Sequence, residues 1–194
     1  DERIDKPMDV FGPGWGDHAE RVKAAWTELV TDDDIVIIAG DISWGLKLDE
    51  AMADLDWIHE LPGQKVLLRG NHDLWWCRIQ HLRTLYDDMH FLQNDCYYVE
   101  ALDLAICGSR GWPTPDATTY TEHDEKMYLR EQGRLRNSLV EAKKKGSSRI
   151  IMAMHYPPAK VEETEFTRIM KEYGVTQCVY GHLHGMVAWT NGIK

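Results

Sequence analysis

Short apolar runs punctuate this chain, and each stops at a small or polar residue. Ile35 to Ala39, Val66 to Arg69, Ile150 to Met154 and Val175 to Tyr180 read as buried strands. Between them lie segments with helical spacing: His18 to Val30, Leu48 to Leu61, Leu74 to Tyr86, Glu122 to Lys145 and Thr164 to Tyr173. In the first helix Val22, Ala25, Trp26 and Leu29 share a face, and Asp17 is placed to cap it. In the long fourth helix Met127, Leu135, Leu139 and Ala142 form the expected inward stripe. Cys96 to Val99 and Leu104 to Cys107 resemble a strand pair, and Val187 to Trp189 is expected to pair onward. Residues 5–17 and the "GSRGWPTPD" segment are rich in Gly and Pro and read as loops. Alternating strands and helices give an α/β class.

The strand ends carry the chemistry. Four runs terminate in "GD", "GNHD", "H" and "GHLH". Ligands in α/β folds bind outside the carboxyl ends of strands. Asp41, Asn71, His72, His155, His182 and His184 are therefore expected to meet on one rim. One carboxylate, one amide oxygen and several imidazoles make a mixed N/O ligand set, suited to Mn, Fe, Zn or Co. A carboxylate at a strand end can bridge two ions, and two ions can clamp a phosphate ester during in-line displacement. Water held between them becomes a hydroxide nucleophile near neutral pH.

Composition narrows the partners. The 194 residues suggest one domain, with 43% hydrophobic and 28% charged residues, as in a soluble globular protein. The net charge of −10 disfavours tracking along a nucleic-acid backbone, which needs a basic stripe. It favours a small soluble phosphate ester, whose repulsion metal cations offset locally. No long apolar run predicts a membrane span, and no leader is visible, although the first residue is Asp. The four cysteines lack C-x-x-C spacing and read as reduced thiols in a cytoplasmic protein.

The segments "KPMDVFGPGW", "GDISW", "RGNHDLWW", "GSRGW", "DEKMYLRE", "HYPP" and "GHLH" together resemble the calcineurin-like metallophosphoesterase superfamily. Within it they resemble a group of bacterial predicted phosphohydrolases. The resemblance covers nearly the whole chain. It implies a four-layer sandwich of two mixed β-sheets flanked by helices. It also implies two divalent or trivalent transition-metal ions. On that pattern Asp41 bridges both ions, Asn71, His155 and His182 complete one site, and His184 binds the other. His72 stays off the metals beside the leaving group, with Asp73 expected to orient it. The superfamily's opening Asp-x-His motif has no counterpart here, since Asp17-His18 has the wrong spacing. The resemblance therefore implies a single domain over 1–194 lacking its first strand and its last strands.

Each motif alone has a plainer reading. Gly-Asp after a strand is common, and His155 before Tyr-Pro-Pro can be a turn histidine; their ordered co-occurrence favours metal. Trp75 and Trp76 read as core, and Trp44 can pack under the site. Arg110 and Trp112, on a loop, are candidates for holding a substrate phosphate, or Arg110 is a structural arginine. The rival to a phosphoesterase is a non-catalytic interaction module that keeps the fold with an incomplete first metal site.

Overall fold

The computed structural model describes residues 15–159 and 163–183. In chain order the elements are α1 (His18–Leu29), β1 (Ile35–Ile38), α2 (Leu48–His59), β2 (Gln64–Leu67), α3 (Ile79–Leu82), β3 (Met89–Phe91), β4 (Cys96–Val99), β5 (Leu104–Ser109), α4 (Glu122–Lys144), β6 (Arg149–Met154), α5 (Glu165–Glu172) and β7 (Gln177–Tyr180). A 3-10 turn, Glu100–Leu102, joins β4 to β5. The first sheet is parallel, in the order β1-β2-β3. The second runs β4-β5-β6-β7, with β4 antiparallel to β5 and the other pairings parallel.

Alternate residues of these strands point to opposite faces, and both faces are covered in β2, β5 and β6, whereas Gln177 and Val179 of β7 are exposed. Val66, Leu68, Leu92, Ile106 and Ala153 form a layer between the sheets, joined by Ile35, Ile37 and Tyr97. The other face of the first sheet packs Leu67, Met89 and Phe91 against Ala51, Leu55 and Ile58 of α2 and against Trp75 and Trp76. The outer face of the second sheet packs Ala105, Cys107, Ile150, Met152 and Met154 against Leu135, Leu139 and Ala142 of α4 and Phe166, Ile169 and Met170 of α5. The result is two packed sheets, the first parallel and the second mixed, flanked by helices, in keeping with the sandwich that the resemblance implied except that the first sheet is not mixed. Burial on both faces explains why β2 and β6 read as nearly unbroken apolar runs. No helix among the described residues is long and apolar enough to cross a membrane.

Several expectations are corrected. The helix over 74–86 shrinks to one turn, α3, and an unforeseen strand, β3, follows it. Helical propensity yields here to tertiary contacts. The Trp75 indole N–H donates to Asp73 Oδ1 at 3.0 Å, and both tryptophan rings are buried, so residues 73–78 turn back onto the sheet. Asp17 precedes α1 with φ 50° and makes no side-chain cap bond. Val22 and Leu29 of α1 are exposed, at 46% and 77%; of the expected inward face only Trp26 reaches in, donating to the Pro62 carbonyl at 2.9 Å. On α4 the buried stripe includes Tyr128 and Glu131, whereas Met127 is half-buried. The expected strand at Val187 to Trp189 and most of the 5–17 loop lie outside the described residues.

Candidate metal centre

Asp41 follows β1, Asn71 follows β2, His155 directly follows β6 and His182 follows β7. The four therefore stand at the carboxyl ends of parallel strands, two from each sheet, and the packing of the sheets brings them together. Nε2 of His155 lies 2.7 Å from Asn71 Oδ1 and 3.4 Å from Asp41 Oδ2. Nδ1 of His182 lies 3.0 Å from the same Asn71 oxygen. Ligand atoms of Asp41, His155 and His182 all fall within 4.8 Å of one another.

The tautomer of His155 tells what this cluster suits. Its ring is fully buried, and Nδ1 faces the Ala39 carbonyl at 2.8 Å. A carbonyl only accepts, so Nδ1 carries a proton, and in the neutral imidazole Nε2 presents its lone pair. That lone pair meets an amide oxygen and a carboxylate oxygen. Donor atoms whose lone pairs converge are what a cation binds, and an imidazole fixed through its other nitrogen is the usual form of a metal-ligating histidine. The residues present therefore fit a transition metal of N/O preference. A second cluster of ligand-type side chains, His59, Asp87 and Asp88, is different: there the Lys65 ammonium already pairs with Asp88.

Backbone geometry at the rim is unusual in two ways. Asp41 and His182, neither a glycine, adopt left-handed φ of 57° and 68°. Such residues cost about 1–3 kcal/mol each and persist where surrounding contacts over-determine them. The second feature is close approach of the β1 and β2 loops. A Cβ on Gly70 would lie 2.1 Å from Asp41 Oδ1, and one on Gly40, at φ 91°, would lie 2.6 Å from Gly70 N. Only glycine lets the two loops pass this closely.

Asp73 holds this arrangement and does not do what its position beside His72 suggested. Its carboxylate is fully buried. Oδ2 accepts the backbone N–H of Asp41 at 2.8 Å and of Gly70 at 2.6 Å. Oδ1 accepts those of Ile42 at 2.8 Å and Ser43 at 3.1 Å, and the Trp75 indole N–H. Neither oxygen bonds the His72 ring. Burial pushes the Asp73 carboxyl above its usual value, and the N–H groups of Gly70, Ser43 and Ile42 pull against that shift.

His72 donates its backbone N–H to Asp41 Oδ1 at 2.8 Å, which aims that carboxylate. Its ring stacks on Trp44, with centroids 4.4 Å apart at 17°. Asp41, Trp44, His72 and His182 line one cleft of about 330 Å³, together with Trp15 and His18. The last two went unnoticed in the sequence, where His18 reads only as a helix opener. Tyr156 was also missed. Its ring sits 4.4 Å from that of His182, and burial raises its phenol pKa. The signal available was its place beside His155 in "HYPP".

Three further expected residues lie apart from this cleft or outside the described residues. Arg110 and Trp112 are not among the residues lining this cleft. The Trp112 indole donates to Asp124 Oδ1 at 2.9 Å, and the Arg110 guanidinium lies 4.7 Å over the Trp112 ring. His184 lies outside the described residues.

The sequence model of the calcineurin-like phosphoesterase family matches residues 13–186. The gene 66 protein of Mycobacterium phage L5 is 44% identical over 57 residues, 29% of this chain and 27% of the phage protein. The gene 66 protein of Mycobacterium phage D29 is 38% identical over 71 residues, 37% of this chain and 34% of its own. The chain thus spans about a third or less of the length of these curated relatives.

Proposed function

Because this chain belongs to the calcineurin-like phosphoesterase family of metal-dependent phosphoester hydrolases, we propose that it hydrolyses a small soluble phosphate ester at a centre of two transition-metal ions. The observation that carries this reading is the convergence of Asp41, Asn71, His155 and His182, with the His155 Nε2 lone pair directed inward. These four would hold one cation, and Asp41 together with His184 would serve a second. Mn, Fe and Zn suit the donor set. When bound, the ions polarise the phosphoryl group and make water a stronger acid.

The chain's own groups supply the rest. His72 stands in the cleft with its ring held flat against Trp44, and it gives a proton to the departing ester oxygen. Its backbone N–H fixes Asp41, so one residue serves both the ligand set and proton transfer. Asp73 is a positioning residue that ties the two ligand loops together. The net charge of −10 supports a small ester over a long polyanion. His72 in the cleft also favours an enzyme over a bare scaffold, which has no use for an imidazole there.

The test is hydrolysis of p-nitrophenyl phosphate and its bis ester with Mn added, alongside bound metal per chain. Asp41→Asn is expected to lose both metal and activity. His72→Asn is expected to retain metal and lose turnover by about 10²–10⁴-fold, the usual worth of general acid–base assistance. Activity surviving both substitutions contradicts the assigned roles.

A further inference from the structure

A second cavity, of about 200 Å³, opens on the same rim with a different lining. Arg69 reaches it from the end of β2, Gln93 and Asn94 from the end of β3, Arg110 from the end of β5, and Glu131 and Arg134 from α4. Three guanidiniums thus face one carboxylate, in a protein of net charge −10.

That carboxylate is already engaged. Glu131 is fully buried. Its Oε2 accepts the Ser109 hydroxyl at 2.8 Å, and its Oε1 accepts Arg134 Nη1 at 2.6 Å. Arg69 donates its Nε to the Asp73 carbonyl at 3.2 Å. Arg110 differs from both. Its Nε is buried with no hydrogen-bond partner, and among the described residues no carboxylate pairs with its guanidinium. Arginine remains charged inside proteins, so a buried N–H without an acceptor is a standing penalty. Burial lowers the pKa of both Arg69 and Arg110; Asp73 and Glu131 offset part of this for Arg69 and Glu131 for Arg110, while Arg134 repels both and Arg69 repels Arg110. An anion in the cavity relieves the orphan donor and the repulsion together, and guanidinium forks match phosphate or carboxylate oxygens two at a time.

The cavity adjoins the metal cleft through the backbone. Only Gly70 separates Arg69 from Asn71. The Tyr156 N–H donates to the Arg110 carbonyl at 2.9 Å, while the Tyr156 ring packs on His182.

We propose that this cavity is an anion subsite, in which Arg110 and Arg134 hold a second phosphate or carboxylate group of the ester that reacts at the metal cleft. The substrate class is then a phosphate ester bearing a further anionic group. The identity of that anion as part of the substrate rests on the phosphoesterase reading; the existence of the subsite does not.

Calorimetric titration of the Mn-loaded protein with sulfate, against chloride at equal ionic strength, tests the subsite. Saturable sulfate binding is expected in the wild type and in Asp41→Asn. It is expected to weaken at least tenfold in Arg134→Gln, whose shorter amide can still donate to the buried Glu131, and in Arg110→Gln. Binding lost in Asp41→Asn but kept in both arginine variants puts the anion on the metals and overturns the subsite, as does no binding in the wild type. A kinetic arm separates a substrate group from a free anion. Glucose 1,6-bisphosphate is expected to show a KM about tenfold below that of glucose 6-phosphate, and Arg134→Gln to erase the difference. Equal KM values in the wild type overturn the substrate assignment even where sulfate binds.

Discussion

The Asp73 carboxylate accepts the backbone N–H of Asp41 at 2.8 Å, across a separation of 32 residues. Asp73 belongs to the loop after β2 and Asp41 to the loop after β1. This bond, with the three others that Asp73 takes from the Ile42, Ser43 and Gly70 backbones, sets the spacing of the two loops that supply metal ligands.

Asp73→Ala is therefore expected to act on the metal and on the fold, with proton transfer affected only secondarily. Four backbone N–H groups and the Trp75 indole lose their acceptor, at about 1–3 kcal/mol for each that stays buried and unpaired. Metal affinity is expected to fall by about 10–100-fold, as for other supports behind a ligand. Denaturant midpoints and metal titrations check this. A variant with wild-type stability and metal affinity but an altered pH profile returns Asp73 to the role of orienting His72.

Gly70→Ala tests the close passage of the loops. The added Cβ would lie 2.1 Å from Asp41 Oδ1 and 2.2 Å from its backbone N, far inside contact distance. One loop must move, and Asp41 moves with it. Metal binding is expected to be lost at concentrations that saturate the wild type, while circular dichroism still reports both helices and sheets. Unchanged metal stoichiometry contradicts the geometry.

Away from the site, Lys65 is 2% exposed, and its ammonium pairs with Asp88 and the Leu61 carbonyl. Burial alone would raise the Asp88 carboxyl pKa, but Lys65 and His59 outweigh it, and the pKa is lowered. A depressed carboxylate contributes stability above its unfolded value, about 3.9, and that contribution fades as pH falls through the lower folded value. Asp88→Asn is expected to lose about 3–5 kcal/mol at pH 7, because it leaves a buried ammonium without its counter-charge. The wild-type advantage over the variant is expected to shrink below about pH 4. Urea unfolding at several pH values checks both, and an advantage independent of pH contradicts the pairing.

Much of the fold was readable because strands buried on both faces advertise themselves as apolar runs, and because capped helices such as α5, with Thr164 in a capping box, begin where their polar residues indicate. The metal ligands were readable for a related reason. Polar residues have little business at the end of a buried strand, so Asp41, Asn71, His155 and His182 stood out. Three things were hidden. Neighbours in sequence need not face each other, so Asp73 beside His72 suggested a contact that the turn does not make. Trp75 and Trp76 were correctly read as core but wrongly as helix, since the pull of a cluster on the far side of the chain is not written locally. Glu131 and Arg134, inside a helix dense with charge, look like solvated positions; only the packing of α4 against β5 shows that Glu131 is buried against Ser109.

The central claim is that Asp41, Asn71, His155 and His182 close around one cation. Anomalous scattering from crystals of the Mn-loaded protein tests it most directly. The account predicts a peak within coordination distance, about 2.0–2.3 Å, of Asp41, Asn71, His155 Nε2 and a His182 ring nitrogen. A manganese peak elsewhere, or none at this rim in metal-saturated crystals, would contradict it.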